Sequence, residues 1–155
     1  MFGFIFDFNV EVIMLSYKIN NRITFDTKEI SLFELSISRN NYSSDINRKI
    51  QKIISSINSM CVSIIDSYID VSNTACSNAS LQTMQVKTQR VKEKIQSVKS
   101  DKNMIKSFND TIGNMIGRKI DLTNIIITID KIIDEMDNVK TVIVESTNEM
   151  FGLMS

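Results

Sequence analysis

Residues 45–71, DINRKIQKIISSINSMCVSIIDSYIDV, decide the fold because their apolar side chains recur at helical spacing. Successive apolar positions are 4, 3, 4, 3, 4, 4 and 3 residues apart, the period of one face of an α-helix. The row is Ile46, Ile50, Ile53, Ile57, Met60, Ile64, Tyr68 and Val71. Ile54, Cys61, Ile65 and Ile69 widen it on one side. The pattern predicts a helix of about seven turns with an apolar seam toward a partner helix.

A second seam lies near the C-terminus and is the most regular in the chain. Its spacing is 3, 4, 3, 4, 3 and 4, through Leu122, Ile125, Ile129, Ile132, Met136, Val139 and Ile143. The β-branched run 125–127 favours a strand. The row persists for about three heptads, however, and strands rarely exceed about ten residues. A second long helix is therefore predicted.

Between these segments, a third helix is predicted to begin near Leu81. Its apolar row continues toward residue 115 if the helix is unbroken, and Gly113 and Gly117 mark its end. Lys102 occupies one step of this row, which indicates a register shift or an exposed stretch. The small polar residues 72–80 predict a turn or a weak interruption between helices.

The N-terminal residues have a different period. Residues 2–12 alternate apolar and polar, as in a strand, and residues 15–19 and 23–25 fit a small hairpin. The alternative is that Met14 is the true start. Asp26 with Glu29 then resembles a capping box. The spacing of Ile30, Phe33 and Ile37, with Leu32 and Leu35 nearby, predicts a short helix after it, although a strand stays possible there. The break falls at residues 39–41.

Charge is balanced overall and segregated locally. The chain has 18 basic and 18 acidic residues, so it lacks the basic excess of a generic nucleic-acid binder. Residues 81–102 hold six basic and two acidic side chains, whereas residues 121–149 hold seven acidic and two basic ones. These two helices are expected to pack together, within one chain or between chains.

Composition gives little support to catalysis. The chain has no His, which removes the commonest general base and neutral metal ligand. With no His to activate Cys61 or Cys76, a cysteine nucleophile is not expected. Asp66 and Asp70 share a helix face, but a solvated acidic face explains them better than a cation site. We therefore predict no enzyme activity, no cofactor and no metal site.

No segment reaches the roughly 18–20 uncharged apolar residues of a membrane span. The apolar run 1–15 contains Asp7 and Glu11 and lacks the basic start and cleavage site of a signal peptide. We expect a soluble protein, cytoplasmic or exported without a cleaved signal.

The C-terminal residues Glu149-Met150-Phe151-Gly152-Leu153, after a long amphipathic helix, resemble the tails of some WXG100 proteins. These are small helical hairpins of type VII secretion, and the LXG toxins of those systems have related helical partners. The resemblance implies a partner-binding or export-adaptor role carried by helix surfaces. The chain has no Trp, so the Trp-x-Gly turn of that family is missing.

Together these patterns predict a mainly α protein. Residues 1–40 form a small β or mixed element with a short helix, and residues 41–155 form three long amphipathic helices as a bundle or coiled-coil hairpin. The predicted function is non-enzymatic binding of a protein partner, or self-association, through the two seams. The alternative is a structural coiled-coil subunit of a larger viral, phage or cell-surface assembly.

Overall fold

The computed structural model describes residues 28–75 and 81–154, and in these ranges the chain is helical with no β-strand. Four helices follow one another: α1 Lys28–Ser38, α2 Ser44–Ala75, α3 Leu81–Ile116 and α4 Thr123–Met154. The mainly α fold class is confirmed, with a short fourth helix beside the three long ones. The strands predicted at 2–12, 15–19 and 23–25 lie outside the described residues.

The short helix predicted from this spacing is confirmed as α1, and Ile30, Phe33 and Ile37 are its buried residues. It ends where the Ser38 hydroxyl donates to the Leu35 carbonyl, at 2.7 Å. α1 packs against α2 and is also tied to the connection after α3. There Arg118 Nη2 donates to Ser36 Oγ at 2.7 Å, and the Arg118 guanidinium lies 5.6 Å from the centre of the Phe33 ring.

Helix α2 begins at a serine cap and ends later than its sequence predicted. The Ile46 amide donates to Ser43 Oγ at 3.2 Å, which satisfies one of the free donors at the helix start. Ser72–Ala75 were predicted as part of a turn, yet they continue the helix. The Ser72 hydroxyl donates to the Tyr68 carbonyl and the Thr74 hydroxyl to the Asp70 carbonyl, so these hydroxyls bond within the helix rather than break it.

The connection from α3 to α4 is fixed by the side chain of Asn109. Its Nδ2 donates to the Ile120 carbonyl at 3.0 Å and its Oδ1 accepts from the Ile120 amide at 2.9 Å, with both residues buried. Gly117 ends α3 with a φ of +70°, a conformation that favours glycine. Gly113 instead lies inside α3, next to the side chain of Lys119. A Cβ at this position would lie 2.7 Å from Lys119 Cε.

The three long helices contact one another in all three pairs, which is the packing of a bundle. Successive helices run antiparallel, since Asp70 near the end of α2 pairs with Arg90 near the start of α3, and Lys102 of α3 pairs with Asp130 of α4. Nearly all of the core is aliphatic, with isoleucine the commonest residue. None of the described helices has a stretch that is long and apolar enough to cross a membrane.

Candidate interaction surface

The twelve residues predicted as an interaction seam lie mostly in the core of the chain itself. In α2, Ile50, Ile57 and Ile64 are buried, whereas Ile46 and Ile53 are half-buried against the core. The seven residues of the second seam are all buried, with Leu122 just before α4 and the other six inside it: Ile125, Ile129, Ile132, Met136, Val139 and Ile143. These side chains are covered by helices of the same chain. Partner binding through the seams stays a prediction, and it would require the helices to separate.

The buried row of α2 is more regular than the row derived from the sequence. It follows Ile50, Ile54, Ile57, Cys61, Ile64, Tyr68 and Val71, with steps of 4, 3, 4, 3, 4 and 3. Ile54 and Cys61, which seemed to widen the seam, are central, while Ile53 and Met60 lie half-buried at its edge. The strict alternation of steps is the signal that could have identified this row.

A second apolar row on α2 consists of Val62, Ile65 and Ile69, which we call the α2 stripe. Val62 is 57% exposed and Ile69 is 38% exposed, with half-buried Ile65 between them. The flank of α2 that faces α3 is marked by Asp70, which bonds Arg90. The helical spacing places the stripe on the other flank of the buried row, toward α4.

Helix α4 borders the same face with Glu135 and Val142, both half-buried. They lie on the flank of α4 opposite Asp130, the residue that pairs with Lys102 in α3. Burial raises the pKa of the Glu135 carboxyl, an effect that a hydrogen bond from Asn138 opposes and the charge of Asp134 reinforces. Asp66, between the residues of the stripe, is exposed. The face between α2 and α4 therefore combines the apolar α2 stripe with the carboxylates of Asp66 and Glu135, and the exposed Lys131 lies one turn before Glu135.

The opposite charges of α3 and α4 meet at one ion pair given by the structure, Lys102 with Asp130. This pair also explains why a lysine occupies a position in the apolar row of α3. The helix continues through Lys102 without a register shift. The ammonium group of Lys102 reaches Asp130 while the aliphatic part of its side chain stays mostly covered. Arg90 instead holds Asp70 of α2 through two hydrogen bonds, of 2.9 and 3.1 Å. The two helices do pack together, within one chain.

Burial raises the pKa of the Cys61 thiol to about 11, so it stays protonated at neutral pH, and Cys76 lies outside the described residues. Among residues 28–75 and 81–154, no three His, Cys, Asp or Glu side chains lie close enough to hold a metal ion. An open cleft between α2 and α3 has one carboxylate, Asp101, beside serine hydroxyls and Met60. Burial raises the pKa of Asp101, but no second titratable group lines the cleft.

Comparison of the chain with family models, with curated proteins and with solved structures found no match. The resemblance of residues 149–153 to WXG100 tails stays a prediction from the sequence.

Proposed function

We propose that this protein is a non-enzymatic interaction module that binds an amphipathic helix of another protein across the face between α2 and α4. The observation that supports the proposal is the α2 stripe. Val62, Ile65 and Ile69 stand at i, i+3 and i+7, and two of them remain exposed although the neighbouring row is buried. Apolar residues in this arrangement suit the contact of one helix with another.

The energetics set the expected strength of this interaction. Full burial of a Val or Ile side chain contributes about 1.5–3 kcal/mol, and the residues of the stripe are already partly covered. The stripe alone therefore supports a modest affinity. Because Asp66 and Glu135 border it, the partner helix should carry Lys or Arg beside its apolar residues, which selects the partner more than it adds affinity.

Site-specific photo-crosslinking tests the proposal. A photoreactive amino acid replaces Val62 in one variant and Val86, an equally large exposed residue on α3, in a matched control. We expect a heterologous protein to be crosslinked from position 62 and not from position 86. The purified captured protein should then bind the wild-type chain directly, and at least about tenfold more weakly when Val62→Glu and Ile69→Glu are combined. Equal capture from both positions, or no loss in the double variant, would contradict the proposal.

The second candidate is a structural subunit of a larger viral, phage or cell-surface assembly, favoured by the helix lengths. The 36 residues of α3 span about 54 Å, enough for a rod-like unit. Light scattering after size-exclusion chromatography distinguishes the two. A rod that self-associates without a second protein supports the structural role, whereas a monomer supports partner binding. A secretion adaptor role rests on the WXG100 resemblance alone.

A further inference from the structure

Most of the charge that the sequence segregates between α3 and α4 is not used in contacts between these two helices. Lys102 and Asp130 form the ion pair that joins them. Three further lysines of α3, Lys92, Lys99 and Lys106, are exposed. None of the three pairs with a carboxylate of the described residues. A regular charge pattern on α3 is therefore left without a partner in this part of the chain.

The three lysines form one row along the outer side of α3, which we call the lysine row. Successive members are seven residues apart, or about two helical turns, so they stand about 10.5 Å apart on one line. Lys102 lies between Lys99 and Lys106 in sequence and reaches toward α4. The lysine row thus runs along the flank of α3 that borders α4.

Helix α4 carries a matching acidic row on its outer side, made of Asp130, Asp134 and Asp137. Steps of 4 and 3 residues keep these carboxylates on one face of the helix. Asp134 is exposed and forms no ion pair with the described residues, whereas Asp130 and Asp137 are half-buried and each contact one lysine of the same chain. Because Glu135 lies on the opposite flank of α4, the acidic row is separate from the face between α2 and α4.

The lysine row and the acidic row lie side by side, at the same level of the bundle. Helices α3 and α4 run antiparallel and are in register at Lys102 and Asp130. Three residues before Lys102 and four after Asp130 bring Lys99 and Asp134 to about the same level. Lys92 likewise lies within about one turn of the level of Asp137. The two rows together form one surface, which we call the α3–α4 outer face.

We propose that two copies of this chain associate through the α3–α4 outer face, around a twofold axis that runs along the helices. Such an axis places the lysine row of each copy on the acidic row of the other and keeps residues of one level together. Lys99 of one copy then meets Asp134 of the other, and the same contact is made a second time by symmetry. A twofold axis across the helices would instead place lysine on lysine, which opposes association.

The composition of the α3–α4 outer face sets the strength and shape of this dimer. Exposed ion pairs contribute little each and are screened by salt, so the dimer should be weak and should depend strongly on salt. Because the axis runs along the helices, the dimer is no longer than one chain, unlike the rod of a structural subunit. The α2 stripe lies on another side of the bundle and stays open, so dimerisation and partner binding are tested independently.

Sedimentation equilibrium of the full chain tests the proposal. We expect the wild type to dimerise reversibly at about 0.1 M salt, and the dissociation constant to rise at least about tenfold at about 1 M, where the Debye length is about 3 Å.

Reversal of the charges gives a sharper test of the arrangement. One variant combines Lys92→Glu with Lys99→Glu, and the other combines Asp134→Lys with Asp137→Lys. Each variant alone should be a monomer, because like charges then meet across the contact. An equimolar mixture of the two should form a heterodimer, because the acidic face of one variant then meets the basic face of the other.

The matched control combines Arg48→Glu with Lys52→Glu, which makes the same change of net charge at exposed positions of α2 and should leave the dimer intact. A wild type that stays monomeric at about 0.1 M salt, or a dimer whose dissociation constant does not change with salt, would overturn the proposal. So would a mixture of the two charge-reversed variants that stays monomeric while both keep the helical circular dichroism of the wild type. If either variant loses that signal, the salt dependence of the wild type decides.

Discussion

Two apolar rows run along α2 and have different surroundings. The row through Ile50, Ile57 and Ile64 is completely buried, whereas the α2 stripe through Val62 and Ile69 remains open to solvent. Both are built from β-branched aliphatic residues at helical spacing. Their burial differs because the first row meets α3 and α4 together, while the stripe lies at the outer edge of the contact with α4. The comparison shows that residue type and period identify a packing surface. Whether other helices of the same chain cover that surface depends on where those helices lie.

The strongest test of the buried rows is the combination of Ile129→Asp with Ile132→Asp in α4. Both isoleucines are fully buried, and an unpaired carboxylate there costs several kcal/mol, so two approach the whole stability of a domain, about 5–15 kcal/mol. We expect cooperative thermal unfolding, followed by circular dichroism at pH 7, to be lost. Ile127→Asp is the matched control, since Ile127 belongs to the same β-branched run but is exposed. An unchanged transition in the double variant would show that α4 is not packed as described.

A truncation in each row of α2 compares the two directly. Ile57→Ala leaves a cavity in the core and should lower the free energy of unfolding by about 2–5 kcal/mol. Ile69→Ala removes a side chain that is partly solvated and should lower it by less than about 1 kcal/mol. Urea denaturation of both variants measures the difference. Equal losses would mean that the stripe is buried in solution by something other than the described helices, for example by a second copy.

The smallest expected effect concerns Glu135 at the edge of the stripe. Burial raises the pKa of this carboxyl in the folded protein, so its ionised form opposes folding and stability rises as the pH falls through the folded-state pKa. Glu135→Gln should therefore raise the melting temperature slightly at pH 7. The difference should disappear below the ordinary glutamate pKa of about 4.3, where the wild-type carboxyl is protonated in both states.

Glu145→Gln, on an exposed position of the same helix, is the control for that measurement and should leave the melting temperature at pH 7 unchanged. A melting temperature that falls in Glu135→Gln at pH 7 would mean that the charge of Glu135 is stabilised by a group facing it.

The sequence predicted the helices well because their periods are long and unbroken. Every apolar residue of the second seam is buried, and the β-branched run at 125–127 is helical as expected. Ile53 and Ile54, and likewise Met60 and Cys61, both fit a helical face, and in α2 alone only the strict alternation of steps favours Ile54 and Cys61. The direction of approach of α3 and α4 decides between them. For the same reason, Ile65 and Ile69 of the α2 stripe were grouped with the seam, whereas Val62 was not assigned to it.

Polar detail was harder to predict than apolar packing. Nothing in the sequence indicates that the Asn109 side chain bonds the backbone of Ile120, because Ile120 lies 11 positions away across a turn. Lys102 was recognised as an irregular step, but its partner Asp130 depends on the register of α3 against α4. The expected end of α2 was too early because Ser and Thr hydroxyls bond within the helix, which their composition alone does not reveal.

The clamp made by Asn109 has a consequence for the order of folding. It closes only a short loop, which costs little entropy, so we expect the α3–α4 hairpin to form early in folding. Contacts between α2 and α4 close much longer loops and should form later. The chain also has no proline, so no slow isomerisation phase delays its refolding. We expect Asn109→Ala to slow refolding more than it speeds unfolding, as for a residue of the folding nucleus.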